Sequence, residues 1–164
     1  MRRAGFTLTE MLIVVALMGV VAMAILPNAT ADGTIRLVSA VNMLIADIEY
    51  AQSLSLEEPD DPILFRIDEP NEQYWLARAS DPGTPIDTPN GEPYLVTFGL
   101  GGDATFPGIT VDLVDEGEDV AFDKFGRLNV PGDRTIRLTS PLSGTMRVVV
   151  SADTGSVFIE PGDG

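Results

Sequence analysis

The chain has 164 residues, a length that suits one modest domain with an additional segment. It carries 10 Lys and Arg against 25 Asp and Glu, a formal net charge of −15, and this acidic balance disfavours binding to nucleic-acid phosphates. Histidine and cysteine are both absent, which excludes histidine-based catalysis or metal ligation, disulfides and thiolate nucleophiles.

The first segment is strongly apolar. Arg2 and Arg3 precede an uncharged run from Met11 to Leu26, and Pro27 follows it. A helix over 6–26 would span roughly 31 Å at about 1.5 Å per residue, enough to cross a bilayer core of about 30 Å. Basic residues on the short flank favour an N-terminus in the cytoplasm. The sequence therefore predicts a single membrane-spanning helix.

Two ordinary explanations of this segment compete. The first is a cleaved secretory signal peptide, for which Ala29-Thr30-Ala31 supplies a small-x-small cleavage pattern. The second is a simple transmembrane anchor. Neither gives a reason for Glu10, because a carboxylate costs about 2.5 kcal/mol or more when it lies deep in a membrane. The simplest account of Glu10 is a side chain that extends to the membrane surface.

The residues around Glu10 suggest a third explanation. Gly5-Phe6-Thr7-Leu8-Thr9-Glu10, followed at once by an apolar helix, resembles the class III signal of prepilins and pseudopilins. That pattern is a short basic leader ending in Gly, then Phe, three mostly apolar or small residues, Glu and a long apolar helix. Pro27 resembles the helix-breaking proline that many family members carry at the end of the buried helix.

The resemblance implies roles for three residues. Gly5 would be the last leader residue, cut by a membrane prepilin peptidase and methyltransferase, and Phe6 would become the N-methylated first residue. In a filament, the Glu10 carboxylate would form an assembly salt bridge with the Phe6 amine of a neighbouring subunit. A buried charge is costly alone, and a hydrogen-bonded pair recovers much of that cost and fixes axial register.

A second helix is expected after an interruption at Asn28–Gly33. We predict that it runs from about Gly33 to Leu56 and ends before the acidic, proline-rich segment Glu57–Pro62. Its core-facing stripe would contain apolar residues at spacings of three and four, with Leu44 beside it: Ile35, Val38, Val41, Ile45 and Ile48. Met43, Asp47, Tyr50 and Ser53 are predicted to lie on other faces.

Short alternating segments dominate from Ile63 onward and predict strands. The segments are ILFRID, QYWLARA, YLVTFG, ITVDL, RTIRLT, TMRVVV and SVFIE. Hairpin turns are expected near Glu69–Glu72 and Ala152–Ser156, and a surface loop over Ser80–Pro93, which contains four prolines.

The predicted fold class is α+β and pilin-like, with a long N-terminal helix packed on an antiparallel β-sheet domain. The expected organisation is a leader over 1–5, a transmembrane and filament-core helix over 6–27, an amphipathic helix half over 28–56 and a periplasmic β-rich domain over 57–164.

The C-terminal part carries a second resemblance. The segment VAFDKFGR, residues 120–127, followed by TMRVVVSADTGSVFI, is similar to minor pseudopilins of the GspH/FimT type. These have a Phe-x-x-x-Gly turn and a hairpin ending in Val-x-x-x-x-Gly-x-Val. Some FimT-type pilins bind DNA through an arginine-bearing C-terminal tail, but the matching residues 155–164 contain no basic residue.

No catalytic constellation is evident, and we expect neither an enzyme nor a cofactor. Lys124, the only lysine, lies in a predicted turn. One acidic turn is a weak Ca²⁺ candidate because hard cations bind several oxygens, although it lacks the spaced Asp-x-Asp-x-Asp-Gly pattern. Its carboxylates belong to Asp115, Glu116, Glu118 and Asp119.

The expected function is that of a structural subunit, a minor pseudopilin of a type II secretion pseudopilus or of a type IV pilus-like filament. Its partners would be other pilins, the prepilin peptidase and inner-membrane lipid. The chain would cross the bacterial inner membrane once, with its C-terminal domain in the periplasm. The alternatives are a DNA-uptake pilin, which the acidic charge disfavours, and an exported soluble β-domain with an ordinary signal peptide.

Overall fold

The computed structural model describes residues 7–25, 29–99, 101, 104–115 and 119–161, apart from the side chains of residues 20–32. Two helices come first, α1 over Leu8–Ile25 and α2 over Ala29–Glu57. Strands follow, and the arrangement confirms the predicted α+β class. Gly5, Phe6 and Pro27 lie outside the described residues, so the predicted cleavage site and helix break stay predictions.

The strands form two sheets. In chain order they are β1 Ile63–Asp68, β2 Gln73–Arg78, β3 Asp81–Pro85, β4 Leu95–Gly99, β5 Phe106–Pro107, β6 Thr110–Leu113, β7 Asp119–Ala121, β8 Arg134–Ser140, β9 Gly144–Val150 and β10 Val157–Pro161. The first sheet has the order β5-β4-β2-β1-β7, with β3 also paired to β2, and the second has the order β10-β9-β8-β6. Among the described strands, all pairings are antiparallel except the parallel contact between β4 and β5.

Helix α2 is the central element, because it contacts β1 of the first sheet and β8, β9 and β10 of the second. Its buried face consists of Leu37, Ala40, Val41, Leu44, Asp47, Ile48, Ala51 and Ser55. The predicted stripe is therefore wrong in part, since Ile35 is 64 % exposed and Val38 39 % exposed. Small residues such as Ala40 complete the buried face, and a pattern based on large aliphatic side chains overlooks them.

The predicted interruption at Asn28–Gly33 is also wrong at its C-terminal end, because α2 already begins at Ala29. Gly33 lies within the helix for a packing reason. A Cβ atom there would lie 2.4 Å from Ser143 Oγ and 3.3 Å from Leu142 Cβ. Gly33 therefore lets the turn between β8 and β9 approach the helix closely.

The loop predicted over 80–93 is wrong in its first part. Asp81–Pro85 form β3, which pairs with β2 across a register shift between Ala77 and Arg78. Proline lacks an N–H donor and is tolerated on edge strands. Strand β3 pairs with β2 alone, and most of its residues are exposed. The short strands β5 and β7 were also not predicted, since two or three residues carry no alternating pattern.

An aromatic row lines the inner face of the first sheet. The ring centroids of Phe65 and Tyr74 are 4.6 Å apart, and those of Tyr74 and Phe98 are 5.7 Å apart. Phe106 continues the row at 5.7 Å from Phe98. The first three rings are almost completely buried and form one core with the apolar face of α2.

The turn between β1 and β2 joins the two sheets. It contains the 3₁₀ turn Glu69–Asn71, which confirms the first predicted hairpin. Glu72 accepts a hydrogen bond from Val111 N at 2.9 Å, and Glu69 accepts one from Leu113 N at 3.0 Å. These carboxylates satisfy backbone donors on the edge of β6 that β8 does not use, and so they close an open sheet edge.

The residues that the structure describes include no helix that is both long and apolar enough to cross a membrane.

Candidate functional site

The N-terminal site is built on the start of α1. Thr7 precedes the helix and caps it, since Thr7 Oγ1 accepts a hydrogen bond from Glu10 N at 3.3 Å. The Thr7 carbonyl also accepts from Glu10 N at 3.1 Å and from Met11 N at 3.2 Å. The Thr-x-x-Glu spacing is that of a capping box, and this signal for a helix start is visible in the sequence alone.

The cap uses the backbone of Glu10 and leaves its carboxylate without a partner among the described residues. The side chain is exposed, as are all described side chains of α1 from Leu8 to Gly19. Glu10 thus presents a carboxylate on a helix surface that is otherwise almost entirely apolar. An acidic residue in the first turn also interacts favourably with the helix dipole.

A buried carboxylate lies in the centre of the domain, where sequence reasoning did not place one. Asp47 is 5 % exposed and not, as predicted, on a face away from the core. Its Oδ2 accepts a hydrogen bond from the Tyr74 hydroxyl and its Oδ1 one from the Tyr94 hydroxyl, both at 2.7 Å. Tyr94 also stacks on Tyr50, with ring centroids 5.8 Å apart. This cluster ties α2 to the first sheet.

The electrostatics of this cluster follow from burial. Burial raises the pKa of Asp47 because it disfavours the charged form, while the hydrogen bonds from Tyr74 and Tyr94 lower it in part. Burial and the nearby Asp47 carboxylate raise the pKa of both tyrosines, so that both stay protonated donors. The cluster has no ion pair among the described residues, and its hydrogen bonds hold α2 on the first sheet.

Two glycines meet on the other flank of α2. Gly126 and Gly155 both have positive φ, 78° and 68°. A Cβ atom on Gly155 would lie 2.0 Å from the Gly126 carbonyl oxygen, and Gln52 Nε2 donates to that oxygen at 2.6 Å. The structure thus brings together the two glycines of the C-terminal motif. The hairpin predicted near Ala152–Ser156 is confirmed as the turn between β9 and β10.

The turn before Gly126 presents an exposed aromatic ring. Asp123 fixes this turn, since its Oδ1 accepts hydrogen bonds from Phe125 N at 2.8 Å and Arg127 N at 3.0 Å. Phe125 is 67 % exposed. Lys124 Nζ lies 5.2 Å and Arg127 Cζ 5.3 Å from the centroid of its ring. The predicted turn around Lys124 is therefore a rigid support for an aromatic side chain and two cations.

The calcium candidates are only partly described. Asp115 Oδ2 accepts a hydrogen bond from Thr135 N at 2.6 Å, and Asp119 Oδ1 pairs with Arg66 Nε at 2.6 Å. Both carboxylates thus have partners within the chain. Glu116 and Glu118 lie outside the described residues. The described part of the chain holds no group of three or more ligand-type residues placed for a metal ion.

Two arginines of the second sheet, Arg137 and Arg147, bear on nucleic-acid binding and lie within a row of compensating charges. In register, Asp112 faces Arg137, Arg137 faces Arg147, and Arg147 faces Glu160. Arg137 also forms a salt bridge with Asp112. The row crosses the whole second sheet with two acids and two bases, and so it is not a basic patch.

Comparisons with known proteins give one match for the N-terminal segment and one for the fold. Residues 1–26 match the family described as the prokaryotic N-terminal methylation motif. Two solved structures of the type IV minor pilin FimU from Pseudomonas aeruginosa share the fold. One is 20 % identical, with a TM-score of 0.53 over 76 % of this chain and 88 % of that chain. The other is 19 % identical, with a TM-score of 0.51 over 75 % and 91 %.

No curated protein sequence matches the chain. The likeness to FimU at this identity concerns the fold, a helix packed on an antiparallel-rich β-domain. The chain thus joins a segment that matches the prokaryotic N-terminal methylation motif to a domain that shares the fold of the minor pilin FimU.

Proposed function

We propose that the protein is a structural subunit of a pilus-like filament, a minor pilin or pseudopilin. It is made as a precursor, held in the inner membrane by its apolar N-terminal segment, cut after Gly5 and methylated at Phe6. The observation that carries this proposal is the match of residues 1–26 to the methylation motif, a stretch that includes the apolar helix α1 and its one acidic residue, Glu10.

The exposed position of Glu10 supports a role in assembly. Its carboxylate is not used by the helix cap, since only its backbone N–H binds Thr7. A carboxylate on an apolar helix raises the free energy of a lone subunit in lipid. A neighbour that supplies an amine relieves that cost through a hydrogen-bonded ion pair. Glu10 therefore favours the docked subunit over the free one.

The domain supports the same role through the way it holds α2. Gly33 packs on the turn between β8 and β9, Asp47 binds two tyrosines, and Gln52 binds Gly126. These contacts lie on both flanks and over most of the length of the helix. A helix fixed in this way can transmit the position of a filament core to the exposed domain.

N-terminal sequencing of the mature protein tests processing. In cells that contain a prepilin peptidase, we expect a start at N-methyl-Phe6. A start at Asp32, after the small-x-small pattern, would overturn the proposal and indicate an ordinary signal peptide. A chain that keeps Met1 would also count against it.

Substitution of Glu10 tests assembly. Glu10→Ala and Glu10→Gln are expected to leave cleavage intact and to prevent incorporation into sheared or cross-linked filaments, because both remove the charge. Thr9→Ala is the matched control, since Thr9 is an exposed neighbour on the same helix. Normal incorporation of Glu10→Gln would contradict the ion-pair mechanism.

A further inference from the structure

The Phe125 turn, residues 123–127, is an exposed aromatic knob with a local positive charge. Phe125 is 67 % exposed, more than any other described phenylalanine. Arg127 forms a salt bridge with Asp123 at 2.8 Å, so the remaining charge of the turn is that of Lys124. Asp123 holds the backbone of the turn through two hydrogen bonds, so the ring is displayed at little entropic cost.

A groove on the same domain has complementary properties. It has a volume of about 520 Å³ and lies between the C-terminal part of α2 and strand β3. Tyr50, Leu54 and Ile86 supply apolar lining. Glu57, Asp81 and Asp87 stand around it, and none of the three forms an ion pair with another described residue. Its one arginine, Arg78, is already paired with Glu58 and Asp61.

The knob and the groove lie at the same level of the molecule on opposite flanks of α2. Gly126 packs against Gln52 and Leu56, while the groove is lined by Tyr50 and Leu54 of the same helical turns. At about 3.6 residues per turn, these two pairs of residues point to nearly opposite sides of the helix. Subunits packed side by side with parallel α2 helices therefore bring the knob of one to the height of the groove of the next.

We propose that the Phe125 turn of one subunit inserts into the acidic groove of a second copy of the chain. Phe125 packs against Tyr50 and Leu54, and Lys124 pairs with the carboxylates of Glu57, Asp81 or Asp87. Two different surfaces meet, so the contact is heterologous and, between subunits arranged along a filament, repeats from one copy to the next. The inference rests on the proposed role as a filament subunit and identifies a contact between its domains.

Charge complementarity favours a second copy of this chain as the partner that fills the acidic groove. The whole chain carries −15, which opposes association between copies. A single cationic turn aimed at an unpaired acidic groove reverses this repulsion locally and selects one orientation. An anchoring aromatic ring in the centre of such a contact typically supplies much of its affinity. Added salt is expected to weaken the contact, since both charged partners are solvent-accessible.

Zero-length cross-linking tests the contact, because Lys124 is the only lysine of the chain. The processed full-length protein, as a mixture of ¹⁵N-labelled and unlabelled chains in detergent micelles, is treated with a carbodiimide. We expect mass spectrometry to find labelled Lys124 peptides joined to unlabelled peptides that contain Glu57, Asp81 or Asp87. Absence of these mixed pairs, or joining of Lys124 only to other carboxylates or to another protein in membranes, overturns the proposal.

Matched variants test the role of the ring. Phe125→Ser is expected to lower the yield of the mixed cross-link by about tenfold, as for loss of an aromatic anchor. Leu142→Ser is the control, since Leu142 is 63 % exposed and lies at the other end of α2, beside Gly33. Equal yields from the wild type and Phe125→Ser overturn the proposal, as does an equal loss in both variants.

Mixing two defective variants tests the head-to-tail arrangement. Phe125→Ser with Lys124→Ala removes the ring and the charge of the knob, and Glu57→Arg with Asp87→Arg reverses the groove without adding a lysine. Each alone is expected to stay monomeric, and their mixture to form dimers that grow no further. Growth of either variant alone overturns the proposal. N-terminal sequencing of the same samples distinguishes failure of the filament role from failure of the knob contact. An unprocessed chain contradicts the filament role. A processed chain without cross-links contradicts the knob contact alone.

Discussion

At the scale of single residues, Asp47 combines the cost of a buried carboxylate with the benefit of two hydrogen bonds. Burial in the core without a cation raises the pKa of its carboxyl group. Two tyrosine hydroxyls donate to it at 2.7 Å, and these donors would themselves be unpaired without it. The group therefore fixes how α2 sits on the first sheet, while its charge works against folding at neutral pH.

The pH dependence of stability follows from the direction of this shift. Between the ordinary Asp value of 3.8 and the raised pKa, the folded state binds more protons than the unfolded state. The contribution of Asp47 to the free energy of unfolding therefore falls as pH rises through this window and stays low above it. In Asp47→Asn, we expect this part of the pH dependence to vanish in urea titrations between pH 4 and 7, whereas the exposed control Glu49→Gln keeps it.

Removal of the hydrogen-bond acceptor at residue 47 should lower the free energy of unfolding. Asp47→Ala leaves the hydroxyls of Tyr74 and Tyr94 without their partner, a loss of about 1–3 kcal/mol in the free energy of unfolding. Asp47→Asn keeps an acceptor and a donor at the same place and should cost less than Asp47→Ala at pH 7. If Asp47→Ala proves as stable as the wild type at every pH, the hydroxyl contacts have no structural importance.

At the scale of elements, the C-terminal hairpin depends on one close backbone approach. Gly155 has a φ of 68°, and an added Cβ would meet the Gly126 carbonyl at 2.0 Å. Gly155→Ala must therefore displace the turn between β9 and β10 or the Phe125 turn. Gly132 has a similar positive φ of 87° and open space around it, so Gly132→Ala carries only the backbone strain of about 1 kcal/mol.

We expect Gly155→Ala to lower the free energy of unfolding by at least about 2 kcal/mol more than Gly132→Ala does, because it adds a clash to the same strain. Chemical denaturation of both variants measures the difference. A second signature is the loss of amide protection at Gly155, whose N–H donates to Ser151 O at 2.8 Å. Equal destabilisation of the two variants would show that the clash is relieved at no cost.

The sequence predicted elements well where one local pattern determines them. The alternation of ILFRID predicted β1 with its observed bounds, and the turn residues near Glu69 predicted the hairpin. The sequence did not predict the features that depend on a tertiary contact. Strand β3 exists because an edge of β2 is open to it, and the buried face of α2 is set by what Gly33 and Asp47 contact. No periodicity within the chain carries that information.

The residues of the candidate site also fall into those that the sequence could predict and those that it could not. Glu10 was predictable, because a carboxylate in an otherwise apolar helix is conspicuous in the sequence alone. The C-terminal motif contains Gly126 and Gly155, but their 2.0 Å approach was not predictable from it. The groove beside Tyr50 was not predictable, because its walls come from α2 and from the proline-rich segment that contains β3.

At the scale of the whole molecule, two sheets become one domain through few polar contacts. Helix α2 covers part of both, and the carboxylates of Glu69 and Glu72 bridge the first sheet to β6 of the second. Glu72 reaches Val111 from a left-handed backbone position with φ 52°. Such a non-glycine conformation has a cost that the hydrogen bond offsets.

These bridges make a last prediction. Glu69→Ala and Glu72→Ala each leave a part-buried backbone N–H of β6 without its acceptor, so each should lower the free energy of unfolding by about 1–3 kcal/mol. Hydrogen exchange should localise the effect to the amides of Val111 and Leu113. Glu92→Ala is the control, because no described residue donates to its carboxylate and it lies on an exposed turn.

The conservative variants distinguish hydrogen bonding from charge. Glu69→Gln and Glu72→Gln keep an acceptor oxygen, so we expect them to retain most of the protection of Leu113 and Val111. If the glutamine variants lose as much as the alanine variants, the contribution is electrostatic and depends on the carboxylate charge. If neither pair changes exchange at β6, the remaining contacts hold the two sheets together without these two carboxylates, and the edge of β6 is stable without its cover.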